Sequence, residues 1–100
     1  MPKLATAATA TFVRELPYWG APASLYRLSV PLSGFEYVVV AALAWGEIDS
    51  KTKRPKLRVF GCEPNGDINS YRELAEPIWV WRGHARALAR CGYQRREDVR

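Results

Sequence analysis

The sequence has few of the residues from which active sites and metal sites are usually built. Among 100 residues there is one histidine, His84, and there are two cysteines, Cys62 and Cys91. Two cysteines are too few for a disulfide scaffold and are typical of a reducing compartment. The longest apolar run, residues 37–45, is far shorter than the ~20 residues that a transmembrane helix needs. The sequence therefore predicts a cytoplasmic protein without a membrane partner.

The spacing of the few titratable residues argues against catalysis and metal binding. His84 and Cys91 would lie on one helix, roughly 10.5 Å apart along its axis, which is too far for a hydrogen bond or a shared zinc ion. A pairing of Cys62 with His84 stays open, but it lacks an evident third ligand. The acidic pair Glu47 and Asp49 is expected to be solvated at a strand end. We therefore expect no catalytic residue, no metal, no cofactor, no small-molecule substrate and no enzymatic activity.

Hydrophobic periodicity predicts one domain over residues 11–93, between a flexible leader at 1–10 and a charged tail at 94–100. Residues 25–30 alternate between apolar and polar, as in a strand with one solvated face. Residues 36–48 are apolar on both faces, which is typical of a central strand. Further strands are expected at residues 11–15, 57–62 and 67–71, the last two joined by a turn at 63–66.

Helical spacing replaces the alternation near the end of the domain. Ala85, Leu88 and Ala89 share one face of a helix expected from Gly83 to Cys91, and Gly92 is suited to a left-handed cap. The predicted fold class is α+β, a small antiparallel sheet of about four strands with one C-terminal helix packed on one face.

The excess positive charge is concentrated in one place. The net charge is +5, and residues 51–58 (KTKRPKLR) hold five basic side chains and no acidic one. A second basic feature is a row of arginines spaced by four along the predicted helix. Both features suit phosphate binding, although a solvated loop and a solvated helix face remain open as the alternative. The candidate nucleic-acid contacts are Lys51, Lys53, Arg54, Lys56, Arg58, Arg82, Arg86 and Arg90.

Tryptophan is abundant, with four residues in the chain. In an extended segment at 78–81, the two indoles of Trp79 and Trp81 would point to the same side. They would then either complete the core or form an exposed anchor for a partner or for stacking on bases. The candidate protein interface consists of Trp79, Trp81 and Trp45.

Three short blocks of sequence carry a resemblance to known proteins: Glu36-Tyr37-Val38-Val39-Val40; Phe60-Gly61 with Gly66 and Glu73-Leu74; and His84, Ala87-Leu88 and Gly92-Tyr93. Residues 35–93 thereby resemble a loose group of small, uncharacterised proteins of actinobacteriophages, including mycobacteriophages. The resemblance implies expression in the cytoplasm of an infected bacterial host. It transfers no ligand, reaction or functional residue, and the basic insertion at residues 51–56 departs from the group.

Three hypotheses for the function follow. The first is a non-enzymatic bacteriophage accessory protein that binds a host or phage protein through an aromatic or sheet-edge surface. The second is a nucleic-acid-binding module that uses the basic loop at 51–58 and the arginine row. The third is a self-assembling structural protein.

Overall fold

A computed structural model describes residues 8–17 and 23–96, with only the backbone described for residues 44–47. The leader before residue 8, the side chain of Trp45 and the tail after residue 96 lie outside the described residues. Predictions about them are therefore left as they stand.

Six strands form one mixed sheet, which curls into a half-barrel. A short 3-10 helix, Val80–Arg82, leads directly into the α-helix. The elements in chain order are β1 (Thr9–Glu15), β2 (Ala23–Leu32), β3 (Phe35–Ile48), β4 (Pro55–Cys62), β5 (Ile78–Trp79), α1 (Gly83–Arg90) and β6 (Gln94–Arg96). The spatial order is β5-β4-β3-β2-β1-β6, and only the pairing of β1 with β6 is parallel.

The predicted fold class, a four-stranded antiparallel sheet with a C-terminal helix, is wrong. The structure is mostly sheet, and the chain continues after α1 into another strand. Two further strands, β5 and β6, have two and three residues. β5 lies in the segment 78–81, which the sequence predicts to be a short strand or extended, whereas β6 lies in the expected charged tail. Segments so short carry no readable alternation, and their pairing is set by tertiary contacts. Residues 67–71, expected to form a strand, contribute none, and an isolated bridge joins Phe60 to Glu73.

Strand β3 is central and is covered on both faces. Val38 and Val40 belong to the core under α1, whereas Val39 and Ala41 belong to the core on the opposite face. All four side chains are at most 1% exposed. Burying each valine contributes about 1.5–3 kcal/mol to the stability of the fold. The pattern at 36–48, apolar on both faces, therefore identifies the strand that is buried between the two cores.

The helix is fixed to the sheet at both ends through β2. Near its start, the Tyr26 hydroxyl lies 3.1 Å from His84 Nδ1. Beyond its end, Gly92 has φ 91°, and the Tyr93 amide donates to the Leu88 carbonyl at 3.0 Å, which is the left-handed cap expected from the sequence. The Tyr93 hydroxyl then donates to the Val30 carbonyl at 2.6 Å. These contacts set the position of every side chain that α1 presents to solvent.

Beyond this cap, Gln94 pairs with Thr9 of β1, and its amide donates to the Ala8 carbonyl at 2.9 Å. The sequence assigns residues 94–96 to a charged tail, whereas in the structure they form the outer strand next to β1. No helix in the described part of the chain is long and apolar enough to cross a lipid bilayer.

Candidate functional site

A pocket of about 410 Å³ lies where β4, β5 and the following helical segments meet. Its lining residues carry four positive charges and no negative one. They are Lys56, Pro77, Ile78, Trp79, Arg82, Arg86 and Arg90. We call this site the cationic pocket. It combines residues from both basic features of the sequence.

Strand pairing brings Lys56 into the cationic pocket. Lys56 is opposite Trp79 in the antiparallel register of β4 and β5, and Leu57 is opposite Ile78. Leu57 and Ile78 are buried in the core under α1, so alternation turns Lys56 and Trp79 the other way. Lys56 Nζ lies 4.8 Å from the centre of the Trp79 ring, a distance at which the ring quadrupole attracts the cation. Trp79 thus forms part of the pocket wall.

The three arginines come from two different helical segments. Arg82 ends the 3-10 helix, whereas Arg86 and Arg90 are one turn apart on α1, which places their Cα atoms roughly 6 Å apart along the axis. Between the segments, Gly83 has φ 86° and ψ 162°, a conformation essentially restricted to glycine. Gly83 is therefore the joint that directs Arg82 into the same pocket as the other two arginines.

The contacts of Arg90 and Arg82 leave their positive charges available to a ligand. Arg90 Nη2 lies 3.8 Å from Glu76 Oε1, and both side chains are largely exposed; exposed pairs of this kind contribute little, about 0–1 kcal/mol. Arg82 lies 5.0 Å above the Trp81 ring, a contact that leaves its charge in place. The site therefore offers an anion several cationic donors in one concave surface.

The loop at 49–54, which contains the first three cations of the basic stretch at 51–58, is held in a defined conformation. The Thr52 hydroxyl donates to Asp49 Oδ2 at 2.7 Å, and this hydrogen bond lowers the pKa of Asp49 below its ordinary value. The Lys53 amide donates to the Asp49 carbonyl at 2.8 Å, and Lys53 has φ 59°. Lys51, Lys53 and Arg54 are exposed on this loop, which adjoins the end of β4 that carries Lys56. They extend the positive surface but do not line the pocket.

Arg58 occupies a different environment from the other predicted nucleic-acid contacts. Its side chain is only 10% exposed and donates from Nη1 to Glu73 Oε2 at 2.7 Å. The two charges are paired within the fold, and breaking so buried an ion pair would be costly. Arg58 therefore fixes the segment around Glu73 onto β4 and lies outside the candidate binding surface.

The indoles of Trp79 and Trp81 lie in different environments. The strand ends at Trp79, and Val80 begins a 3-10 helix, so the alternation assumed for residues 78–81 does not apply. Trp79 is partly buried in the pocket wall, whereas Trp81 is 58% exposed. The sequence contained no readable signal for the pairing of Trp79 with Lys56, because the register of a two-residue strand is a tertiary property.

His84 is a structural residue of the helix–sheet contact. The Tyr26 hydroxyl, which lies 3.1 Å from His84 Nδ1, also accepts a hydrogen bond from the Arg95 Nε–H at 3.0 Å. Burial, followed by the nearby Arg95 cation, lowers the pKa of His84. Cys62 belongs to the opposite core, where burial raises the pKa of its thiol to about 12. The Cys62–His84 pairing that the sequence left open is therefore not formed.

In the described ranges, no three His, Cys, Asp or Glu side chains are placed to hold a metal ion. A comparison with protein-family models, curated proteins and solved structures finds no match in any of the three. The resemblance to phage proteins accordingly stays a prediction.

Proposed function

We propose that this protein binds nucleic acid through the sugar–phosphate backbone, which it holds at the cationic pocket. The observation that supports the proposal is the convergence of Lys56 with Arg82, Arg86 and Arg90 around one concave site. The lysine and the arginines are far apart in the sequence and meet only through folding. A folded surface that gathers cations against their mutual repulsion is complementary to a polyanion.

The proposed binding is directed to phosphates rather than to base sequence. Arginine and lysine contacts to phosphate supply affinity and orientation but carry no sequence information. The exposed cations of the loop at 49–54 would extend the contact along the nucleic-acid strand, since the loop directly precedes the end of β4 that carries Lys56. The expected behaviour is binding of many sequences alike, with a strong dependence on salt.

The salt dependence can be calculated from the number of pocket cations. Each phosphate neutralised on a single strand contributes about −0.7 to the slope of log K against log salt. The four cations of the pocket therefore predict a slope of about −2.8, or roughly a 50-fold loss of affinity between about 50 and 200 mM salt. Fluorescence anisotropy with a labelled oligonucleotide of about 20 nucleotides measures this slope directly.

A matched pair of variants separates the pocket from the overall charge. Arg86→Ala should reduce the slope to about −2.1. Arg27→Ala removes the same charge from β2, where the side chain is exposed. Arg27 is opposite Tyr37, which is opposite Cys62, at the other end of β4 from Lys56. Arg27→Ala should leave the slope unchanged. Binding that is absent, independent of salt, or equally affected by the two variants would refute the proposal.

We propose as a second candidate the phage accessory protein that binds a host or phage protein, with the sheet edge as its surface. What supports it is β6, an outer strand whose three residues are all exposed, since an open edge can pair with a strand from a partner. A pull-down from host lysate in which no protein is retained at physiological salt would exclude it. Measurement of the solution mass distinguishes the self-assembling alternative, which a strict monomer rules out.

A further inference from the structure

Trp81 is an exposed aromatic surface that borders the cationic pocket. With 58% of its surface exposed, it is the most exposed of the large apolar side chains in the described ranges. The Arg82 guanidinium lies 5.0 Å above its ring, and the same arginine lines the pocket. The indole is therefore separated from the pocket by a single guanidinium group.

The exposure of Trp81 follows from how the chain turns after β5. Ile78 is buried in the core and Trp79 is held in the pocket wall beneath Lys56. The 3-10 helix that begins at Val80 then directs Trp81 outward. Trp79 is partly buried, whereas Trp81 is 58% exposed, so Trp81 is the indole with more surface accessible to a ligand.

We infer that Trp81 stacks on an unpaired base of the strand whose phosphates occupy the cationic pocket, so that the protein selects single-stranded over double-stranded nucleic acid. The inference rests on the proposed function. Every base has a flat π-face, but in a duplex that face is covered by the neighbouring pairs, whereas a single strand can turn it toward an aromatic side chain. A site with phosphate-binding cations and an adjoining aromatic platform matches the requirements of a flexible single strand.

Arg82 would connect the two halves of the site. Its guanidinium can contact a phosphate while its plane supports one side of the Trp81 ring, because arginine combines a delocalised cation with several donors. The base would then stack on the side of the indole away from Arg82. This arrangement places one base next to one phosphate, as consecutive parts of a nucleotide are.

The test compares Trp81→Ala and Trp81→Phe with the unsubstituted full-length chain, using oligo(dT), oligo(rU) and a DNA duplex as probes. Trp81→Ala should weaken single-strand binding roughly 5- to 150-fold, the range given by alanine substitution at stacked aromatic residues. Its affinity for the duplex and its salt slope should not change, because no charge is removed. Trp81→Phe should keep most of the affinity, and it should lose most of the tryptophan fluorescence quenching that oligo(dT) causes in the unsubstituted protein.

The outcomes distinguish this inference from the proposed function. The stacking inference is wrong if Trp81→Ala weakens duplex and single-strand binding equally, or if it weakens neither of them. If the salt slope persists in these cases, the pocket proposal stands. If the unsubstituted chain binds no nucleic acid in a salt-dependent manner, both are wrong. Thermal unfolding of each variant tests whether a loss of affinity reflects a loss of fold. We expect each variant to stay folded, because the Trp81 side chain is exposed.

Discussion

Replacing Gly83 by alanine should test whether the joint between the 3-10 helix and α1 assembles the pocket. Gly83 has φ 86° and ψ 162°, and a Cβ built on it would meet no atom within 4 Å. The substitution therefore introduces no steric overlap with the rest of the fold, and its cost arises from the backbone conformation alone. Holding a non-glycine residue in such a region costs about 1–3 kcal/mol.

The joint can respond to this strain in two ways, and both can be measured. If the backbone keeps its conformation, the free energy of unfolding in urea should fall by about 1–3 kcal/mol, which a domain with roughly 5–15 kcal/mol of stability survives. If the backbone at position 83 changes its conformation instead, Arg82 moves away from Arg86 and Arg90, and the pocket loses one cation. The slope of log K against log salt should then decrease in magnitude by about 0.7.

Gly34 provides a matched control. It has φ 87° in the turn between β2 and β3 and also has no atom within 4 Å of a built Cβ. Gly34→Ala should destabilise the fold by about 1–2 kcal/mol for the same reason, while nucleic-acid affinity and salt slope stay unchanged. A Gly83→Ala variant that loses less than about 0.5 kcal/mol of stability and binds normally would refute the reasoning about the joint.

Three further outcomes are expected from buried groups. The folded-state pKa of His84 lies below the ordinary value of 6.5, so His84 contributes stability that is present above pH 6.5 and is lost as the pH falls toward the folded-state pKa. Urea unfolding across this pH range should show the loss. Tyr26→Phe removes the partner of His84 Nδ1 and should lower the free energy of unfolding by about 1–3 kcal/mol. The Cys62 thiol, with a pKa of about 12, should react with a thiol reagent only after unfolding, as followed by absorbance. A Cβ on Gly61 would overlap the Phe35 ring, so Gly61→Ala should destabilise by about 1–3 kcal/mol, and Phe35→Ala in the same chain should relieve part of this loss in a double-mutant cycle of unfolding free energies.

The parts of the fold that the sequence predicted are those with strong local signals. Residues 36–48 are apolar on both faces, and the structure has β3 at Phe35–Ile48. The helix expected from Gly83 to Cys91 is present at Gly83–Arg90, with Gly92 as its cap. For β3 and for the cap at Gly92, local reasoning is sufficient. The predicted face of the helix is wrong, because Ala85 and Ala89 are exposed, and Ala87 is buried beside Leu88.

The parts that sequence reasoning missed depend on contacts between distant segments. Nothing in Gln94–Arg96 signals a strand, since all three side chains are polar and exposed; the strand exists because Gly92 and Tyr93 return the chain beside β1. The turn at 63–66 is formed, with the Gly66 amide donating to the Glu63 carbonyl at 2.8 Å, but the segment after it packs rather than pairs. A turn signal fixes the reversal of the chain and not the pairing that follows.

The candidate site was predicted in its composition but not in its geometry. The sequence identified Lys56 and the arginine row as basic, and it grouped Arg58 with them. Burial separates these residues, since Arg58 is paired with Glu73 inside the fold. Tertiary contacts decide whether a given arginine faces solvent or an acidic partner. The spacing of charges along the sequence does not contain this information.

Arg86 carries a charge that disfavours the helix itself, whereas Arg90, in the last turn, interacts favourably with the helix dipole. The first turn of α1 has no acidic residue, and Arg86 and Arg90 repel each other across one turn. Arg86→Glu would convert this repulsion into attraction and should raise the free energy of unfolding by about 0.4–1 kcal/mol, while nucleic-acid affinity and the salt slope decrease. Opposite effects on stability and binding are the signature of a residue retained for its ligand. If urea unfolding shows Arg86→Glu to be less stable, or anisotropy shows its affinity unchanged, the arginine row is a solvated helix face and the cationic pocket loses its role.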